Sequence, residues 1–339
     1  MNLGIGLLLT VVGLWVGSSN LIQWIFEDVQ FGKPFFLTYF STGMFGLYLF
    51  DFFRGFFVPE NRDLNSFWIN LKVAAQFCPL WFLANYFYNS SLSLTSVSSS
   101  TILSSTSGLF TLILSIWVLG ESPDICKFVA AVLSFSGVVI ISIEDSTTES
   151  ESLMGDFLAL LSAVFYSLYC IHLSKYSQIV RLSHLFGFVG LINVIFLWPG
   201  FILLNYTGIE CFEVPSPKVL LFLMINGFFG TFLSDLLWAY SIKLLNPVIC
   251  TLGITLTIPL SMLVDFFVNK KSFTLSYFIG GGLIIVGFVI ISMFEHPLYK
   301  KNLSNNGLTF LLTGKKKKKD DIESISMIKH IVSFSIIRL

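Results

Sequence analysis

Apolar residues in this chain gather into long runs separated by short polar breaks. Ten such runs lie at roughly 3–25, 35–53, 69–91, 96–118, 126–143, 155–175, 184–205, 219–242, 247–268 and 275–294. A hydrocarbon core about 30 Å thick is crossed by about 20 largely apolar residues in a helix, so each run predicts one spanning helix. The runs are continuously apolar rather than alternating, which argues for helices and against a β-barrel. Lipid offers no partner to a free backbone amide, and a helix satisfies its own. The breaks carry helix-ending residues, as in Lys33-Pro34, Val58-Pro59-Glu60, Ser122-Pro123-Asp124 and Val214-Pro215-Ser216-Pro217. The first run lacks a charged leading region and an A-x-A-like cleavage site, and is expected to be a retained helix.

Sliding the sequence by 151 positions lays its two halves over one another. Gly4, Leu7 and Leu9 fall on Gly155, Leu158 and Leu160, and Ser90, Leu94 and Val97 on Ser241, Leu245 and Val248. Ser100, Ser104 and Thr106 fall on Thr251, Thr255 and Thr257. One residue later in phase, Gly137-Val-Val-Ile-Ile-Ser142 lies on Gly287-Phe-Val-Ile-Ile-Ser292. Leu and Val matches are cheap in so apolar a chain; the ordered Gly and hydroxyl positions are not. Five helices per half is an odd number, so the halves are expected to enter the membrane in opposite senses, around a binding site near the midplane. The expected fold is an all-α polytopic membrane protein of ten transmembrane helices in two inverted five-helix repeats. The expected domains are 1–145 and 153–295, followed by a solvated, disordered Lys-rich tail over 296–339.

Composition agrees. Of 339 residues, 55% are hydrophobic and 12% charged, about half the charge usual in soluble domains. Phe alone contributes 37 residues. This balance excludes a disordered chain, collagen and a nucleic-acid-binding domain. Net charge is zero, yet the charges are unevenly spread. With the N-terminus in the cytosol, 16 of the 20 Lys and Arg fall on the cytosolic side and 4 on the other, so both termini are expected there. Nine of the 16 belong to the tail, including Lys315 through Lys319. Acids concentrate in the expected lumenal loops, as at Glu27-Asp28, Glu144-Asp145, Glu210 and Glu213.

Candidate chemistry is confined to a few polar residues inside the runs. The fourth run contains Thr95-Ser-Val-Ser-Ser-Ser-Thr-Ile-Leu-Ser-Ser-Thr-Ser-Gly108, in which Ser100, Ser104, Ser107 and Thr111 form one helical stripe. Its repeat mate supplies Thr251, Thr255 and Thr257. These could wall a hydrated pocket or serve close helix packing. Asp235, in Phe229-Gly-Thr-Phe-Leu-Ser-Asp-Leu-Leu-Trp238, sits well inside the eighth run, where a carboxylate normally faces a pocket, a partner or a proton path. A structural hydrogen bond weighs equally. Asp51 and Asp265 lie nearer helix ends and read as interfacial. Asn85 and Asn89 share a face of the third helix, and Gln23 and Gln76 are further polar positions. Substrate-binding candidates are thus Asn85, Asn89, Ser100, Ser104, Ser107, Asp235, Thr251 and Thr255. No catalytic constellation, metal site or cofactor motif is read from the four His and five Cys; the Cys within apolar runs read as small buried hydrophobes.

Ala84-Asn-Tyr-Phe-Tyr-Asn-Ser-Ser-Leu92 and Thr95 through Leu112, with Gly155-Asp-Phe-Leu-Ala-Leu-Leu-Ser-Ala-Val-Phe-Tyr-Ser-Leu-Tyr169 and Leu256-Thr-Ile-Pro-Leu-Ser261, resemble the F-type branch of solute carrier family 35 and its F-five-like members. The resemblance covers roughly residues 1–295. It implies the drug/metabolite transporter superfamily, with paired EamA-like repeats and an endomembrane setting such as Golgi or vacuole/lysosome. Other branches carry nucleotide sugars, and the resemblance assigns no substrate. The expected function is secondary transport of a small organic solute, nucleotide-sugar-, nucleotide- or metabolite-like, by alternating access. The rival is a membrane receptor or scaffold that senses a ligand in the same cavity without flux. Expected partners are that solute and the lipid bilayer, with a second copy of the chain as a further candidate and no nucleic acid.

Overall fold

A computed structural model describes residues 2–27, 31–50, 52, 64–94, 100, 103–122, 124–145, 152–267 and 273–294. Among them are helices and short connections, and no strand. The helices are α1 (Asn2–Glu27), α2 (Pro34–Gly43), α3 (Leu64–Leu92), α4 (Ser107–Val118), α5 (Ile125–Asp145), α6 (Leu153–Tyr176) and α7 (Leu182–Phe196). They continue as α8 (Pro199–Thr207), α9 (Pro217–Asn226), α10 (Ser234–Leu244), α11 (Pro247–Ile254), α12 (Thr257–Phe267) and α13 (Leu275–Phe294). A 3₁₀ turn, Met44–Tyr48, extends α2, and a π-helical segment, Gly227–Leu233, joins α9 to α10.

Every apolar run of the sequence coincides with helix among these residues. By length and hydropathy seven helices qualify as spans; α7 and α8, bent by 49° at their break, make an eighth if taken as one. The fourth run yields a shorter apolar helix, Leu103–Val118, and the second yields α2 with its 3₁₀ turn. The breaks have identifiable causes. Pro occupies the first turn of α2, α8, α9 and α11, where its missing N–H costs nothing. Asn246 caps α11 by accepting from the Ile249 amide at 2.8 Å.

The packing repeats itself under the 151-residue shift. α5 packs along α13, and α2 with its 3₁₀ turn on α7, each against its own counterpart. α3 packs on α6 and α1 on α10, and the shift exchanges these two pairs. A twofold relation between halves produces this pattern. At the α5–α13 seam it reaches single atoms. A Cβ on Gly137 would lie 2.5 Å from the Gly280 carbonyl oxygen and 2.9 Å from Ile284. A Cβ on Gly287 would lie 2.8 Å from the Ala130 carbonyl oxygen and 2.3 Å from Ser134 Oγ. The local 150-residue shift carries Ala130, Ser134 and Gly137 onto Gly280, Ile284 and Gly287. Backbone-to-backbone approach through small residues is how helices gain dispersion contacts where lipid removes the hydrophobic drive.

The packed centre holds Trp238, Tyr169, Phe45, Phe77 and Phe186, all fully buried. Phe50, Trp117, Phe196, Tyr206 and Phe267 point outward with well over a third of their surface uncovered. Such a surface is a liability in water and normal against lipid. Cys78, Cys170 and Cys250 are buried free thiols, as expected; Cys126, at the start of α5, is only half-buried, and Cys211 is exposed.

Candidate functional site

A cavity of about 300 Å³ opens between the two halves, walled by α1, α2, α3, the segment entering α4, α6, the π segment with α10, and α11–α12. Its polar lining starts in α1, whose Gly17-Ser18-Ser19-Asn20 interrupts an apolar helix. Ser18 Oγ donates to Asn226 Oδ1 at 2.7 Å, which joins the first half to the end of α9. Gly230 makes that approach possible, since a Cβ there would sit 2.3 Å from Ser18 Oγ. Opposite, Asn89 Nδ2 of α3 donates to Thr38 Oγ1 of α2 at 3.1 Å, and Asn85 Nδ2 donates to the Trp81 carbonyl one turn back.

The π segment decides where Asp235 points. Each π turn inserts a residue relative to the α-helix and so rotates everything that follows it. Ser234 ties the start of α10 back to the Gly230 carbonyl at 2.7 Å and accepts from Trp15 Nε1 at 3.1 Å. Tyr48 Oη donates to the Phe232 carbonyl at 2.5 Å, with the two rings stacked 4.0 Å apart. Held from both sides, α10 directs Asp235 into the cavity wall at 3% exposure. Tyr48 and Tyr169 stand within electrostatic reach of the carboxylate. Among the described residues it has no hydrogen-bond or ion-pair partner, and no Lys, Arg or His lines the cavity.

Seven of the eight residues singled out in the sequence line this cavity: Asn85, Asn89, Ser104, Ser107, Asp235, Thr251 and Thr255. Ser100 does not. It is fully buried, with its hydroxyl 2.7 Å from that of Ser91. Thr111, at the other end of the same stripe, is buried between helices as well. A turn interrupts the helix at Thr106, between Ser104 and Ser107. Thr106 Oγ1 donates to the Leu103 carbonyl at 2.5 Å there, and its repeat mate Thr257 Oγ1 donates to the Ile254 carbonyl at 2.7 Å. Asp51, Thr95–Ser99, Thr101, Ile102 and the tail from 295 lie outside the described residues, as do the side chains of Gln23 and Asp265. Gln76 pairs with His172 Nε2 at 3.1 Å, away from the cavity.

Sequence reasoning missed the contributions of α1, α2 and α6. Trp15, Ser18, Thr38, Ser41, Tyr166 and Tyr169 all line the cavity. The Ser18-Ser19-Asn20 cluster inside the first apolar run was the available signal; the others are single polar or aromatic positions that only helix rotation reveals.

Two stretches of the chain, 2–143 and 153–293, match the model of the EamA-like transporter family. The chain belongs to the EamA-like transporter family. The family model thus matches twice, over stretches that overlie one another under the repeat shift. Among relatives, the chain is 33% identical to the "uncharacterized vacuolar membrane protein YML018C" of Saccharomyces cerevisiae, over 86% of this chain and 90% of that one. It is 31% identical to solute carrier family 35 member F5 of Bos taurus, over 87% of this chain and 78% of the other. An "uncharacterized transporter C405.03c" of Schizosaccharomyces pombe is 33% identical over 86% and 95%. A solved crystal structure superposes with a TM-score of 0.65 at 17% identity, covering 87% of this chain and 98% of its own, which is a likeness of fold. The kinship with solute carrier family 35 expected from the sequence is therefore borne out, and this EamA-family chain is a helical multi-pass membrane protein of the transporter type.

Proposed function

We propose that this EamA-family protein is a secondary transporter that carries a small organic solute across an endomembrane by alternating access. One observation carries the reading: a polar cavity with a buried carboxylate lies between two halves whose packing maps onto itself under the repeat shift. Residues 1–145 and 153–295 act as the two five-helix units, inverted to one another, and all ten helical runs span the bilayer. Both termini face the cytosol, in line with the Lys and Arg bias. A vacuolar membrane fits the name of the yeast relative.

In this orientation the loop after α8 and the start of α2 meet on the lumenal side. The Glu210 carboxylate accepts from the Phe35 and Phe36 amides at 2.8 and 2.9 Å, and Lys33 Nζ donates to the Cys211 carbonyl at 2.8 Å. A carboxylate at a helix N-terminus satisfies amides that have no partner within the helix. This latch joins the two units and has to release when the cavity opens to the lumen.

The test is flux. Full-length protein in liposomes is given a panel of nucleotide sugars, nucleotides, amino acids and vitamins, alongside a Ser104→Phe variant whose ring fills the cavity. Uptake of at least one solute, lost in Ser104→Phe at unchanged folding, is the expected result. Ligand-induced stabilisation without flux of any solute would favour a receptor.

A further inference from the structure

The cavity's charge inventory is lopsided. Its wall carries the Asp235 carboxylate, buried, with no Lys, Arg or His in the lining among the described residues. The described cations with charged partners are placed elsewhere, Lys127 on Glu121 and Lys33 on Glu213. A buried carboxylate without a partner is costly unless positive charge comes to it, as a proton or as a cation in the cavity.

Two further observations say what form that charge takes. First, the wall around Asp235 is aromatic. Trp15, Trp81, Tyr88, Tyr166 and Tyr169 line it, with the ring centroids of Tyr166 and Tyr169 4.8 Å apart and those of Trp81 and Tyr169 5.0 Å. Aromatic faces attract cations, and do so more strongly where water is scarce. Second, the carboxylate is not demanded by the repeated framework. The 151-residue shift carries Asp235 onto Ala84, which also lines the cavity and makes do with a methyl group. The charge belongs to the site rather than to the fold.

We propose that the cavity takes an organic monocation with a planar ring, its charge facing Asp235 and its ring against Trp15 and Tyr166. A volume of about 300 Å³ lies at the small end for small-molecule sites and suits one or two rings. Trp81 Nε1 and Ser41 Oγ are buried lining groups without a hydrogen-bond partner, positioned to serve an acceptor on the ligand. A nucleotide sugar is a poor fit, because its diphosphate calls for the Arg or Lys clamp that this lining lacks. That the cation is carried rests on the transporter reading; that it binds does not.

Binding and flux are therefore measured separately on the full chain. Purified protein in nanodiscs is titrated with 1-methylpyridinium, 1-methylnicotinamide and 1-methylquinolinium, with nicotinamide, nicotinate and UDP-glucose as the neutral, anionic and nucleotide-sugar counterparts. Tryptophan fluorescence and melting temperature are the readouts. At least one cation should bind ten-fold or more tighter than every counterpart, and liposomes should take it up. Asp235→Asn should lose that preference, while Asp235→Glu, which keeps the charge, should retain most of it and control for misfolding. Binding or uptake of UDP-glucose in preference to every cation overturns the proposal and leaves the transporter reading standing. Tight cation binding without flux upholds the proposal and overturns transport. Equal cation binding by folded Asp235→Asn overturns the role of Asp235 and with it the proposal.

Discussion

Placing one methyl group on Gly137 tests the twofold packing where it is tightest. The added Cβ would lie 2.5 Å from the Gly280 carbonyl oxygen, 2.9 Å from Ile284 Cγ1 and 3.1 Å from the Ile284 amide nitrogen. Two of these three are backbone atoms, so no side chain can swing aside. Restoring ordinary contact requires α5 and α13 to part by about 1 Å. A gap of that size forfeits a quarter to a half of each carbon–carbon well of about 0.15 kcal/mol. Over on the order of 50 close pairs the loss is about 2–4 kcal/mol. Ala gains about 1 kcal/mol over Gly in helix propensity, so the net cost of Gly137→Ala is about 1–3 kcal/mol.

Gly282 provides the internal control. It lies in the same seam helix, α13, but a Cβ there meets nothing within 4 Å. Gly282→Ala therefore keeps the propensity gain and should melt no lower than the parent. Gly287→Ala, the repeat mate of Gly137→Ala, should again be destabilising, because the Ala130 carbonyl oxygen blocks it at 2.8 Å. Thermal unfolding of purified protein in one detergent, followed by size-exclusion fluorescence, ranks the three. At roughly 2–4 °C per kcal/mol, Gly137→Ala should melt several degrees low. An unchanged midpoint for Gly137→Ala, or an equal loss for Gly282→Ala, would refute the seam as described.

Tyr48→Phe deletes the hydroxyl that holds the Phe232 carbonyl and keeps the stacked ring. Stability should fall by about 1 kcal/mol, and uptake or ligand binding should fall disproportionately because α10 loses its register; unchanged function at that stability loss would detach the π segment from the site. Glu210 supplies a pH test outside the membrane: burial raises its carboxyl above the usual range, against the Phe35 and Phe36 amides and Lys33, which pull it back. The folded protein thus holds this proton more tightly than the unfolded chain, so the group's contribution to stability grows as pH falls through the raised value and is lost as pH rises through it. The melting-temperature difference between parent and Glu210→Gln should shift against the parent from pH 4 to 7, and the opposite slope would show a carboxylate held charged.

Much of this was legible in the sequence, for reasons that differ by feature. Lipid imposes one requirement on every helix, so the apolar runs coincide with helix along the described chain. Asp235 stood out because a carboxylate is conspicuous in such a run. The rotation of each helix was not legible. Ser18, Thr38 and Ser41 are ordinary small polar residues in apolar helices, and nothing in their spacing says which face meets the cavity. The π segment at Gly227–Leu233 shifts the phase of α10 without leaving a mark in hydropathy. Ser100 shares the spacing of Ser104 and Ser107, but its hydroxyl pairs with Ser91, ahead of the turn that the chain makes at Thr106.

That turn is informative, since its repeat mate is broken too. Leu103 and Ile254, related by the 151-residue shift, both surrender their carbonyls to threonine hydroxyls, those of Thr106 and Thr257, and Thr255 does the same for Leu252 at 2.6 Å. Such back-bonding meets the rule that a polar backbone group inside a membrane must find a partner. Both halves therefore spend their hydroxyl-rich helix on the same device, an interrupted helix that brings Ser104 and Thr255 to the cavity from equivalent positions. The geometry of the cavity is shared between the halves, while its charge, Asp235 against Ala84, comes from one of them. A change in the hydroxyls of either half should then alter the shape of the site, and only a change at Asp235 should alter the sign of what it accepts.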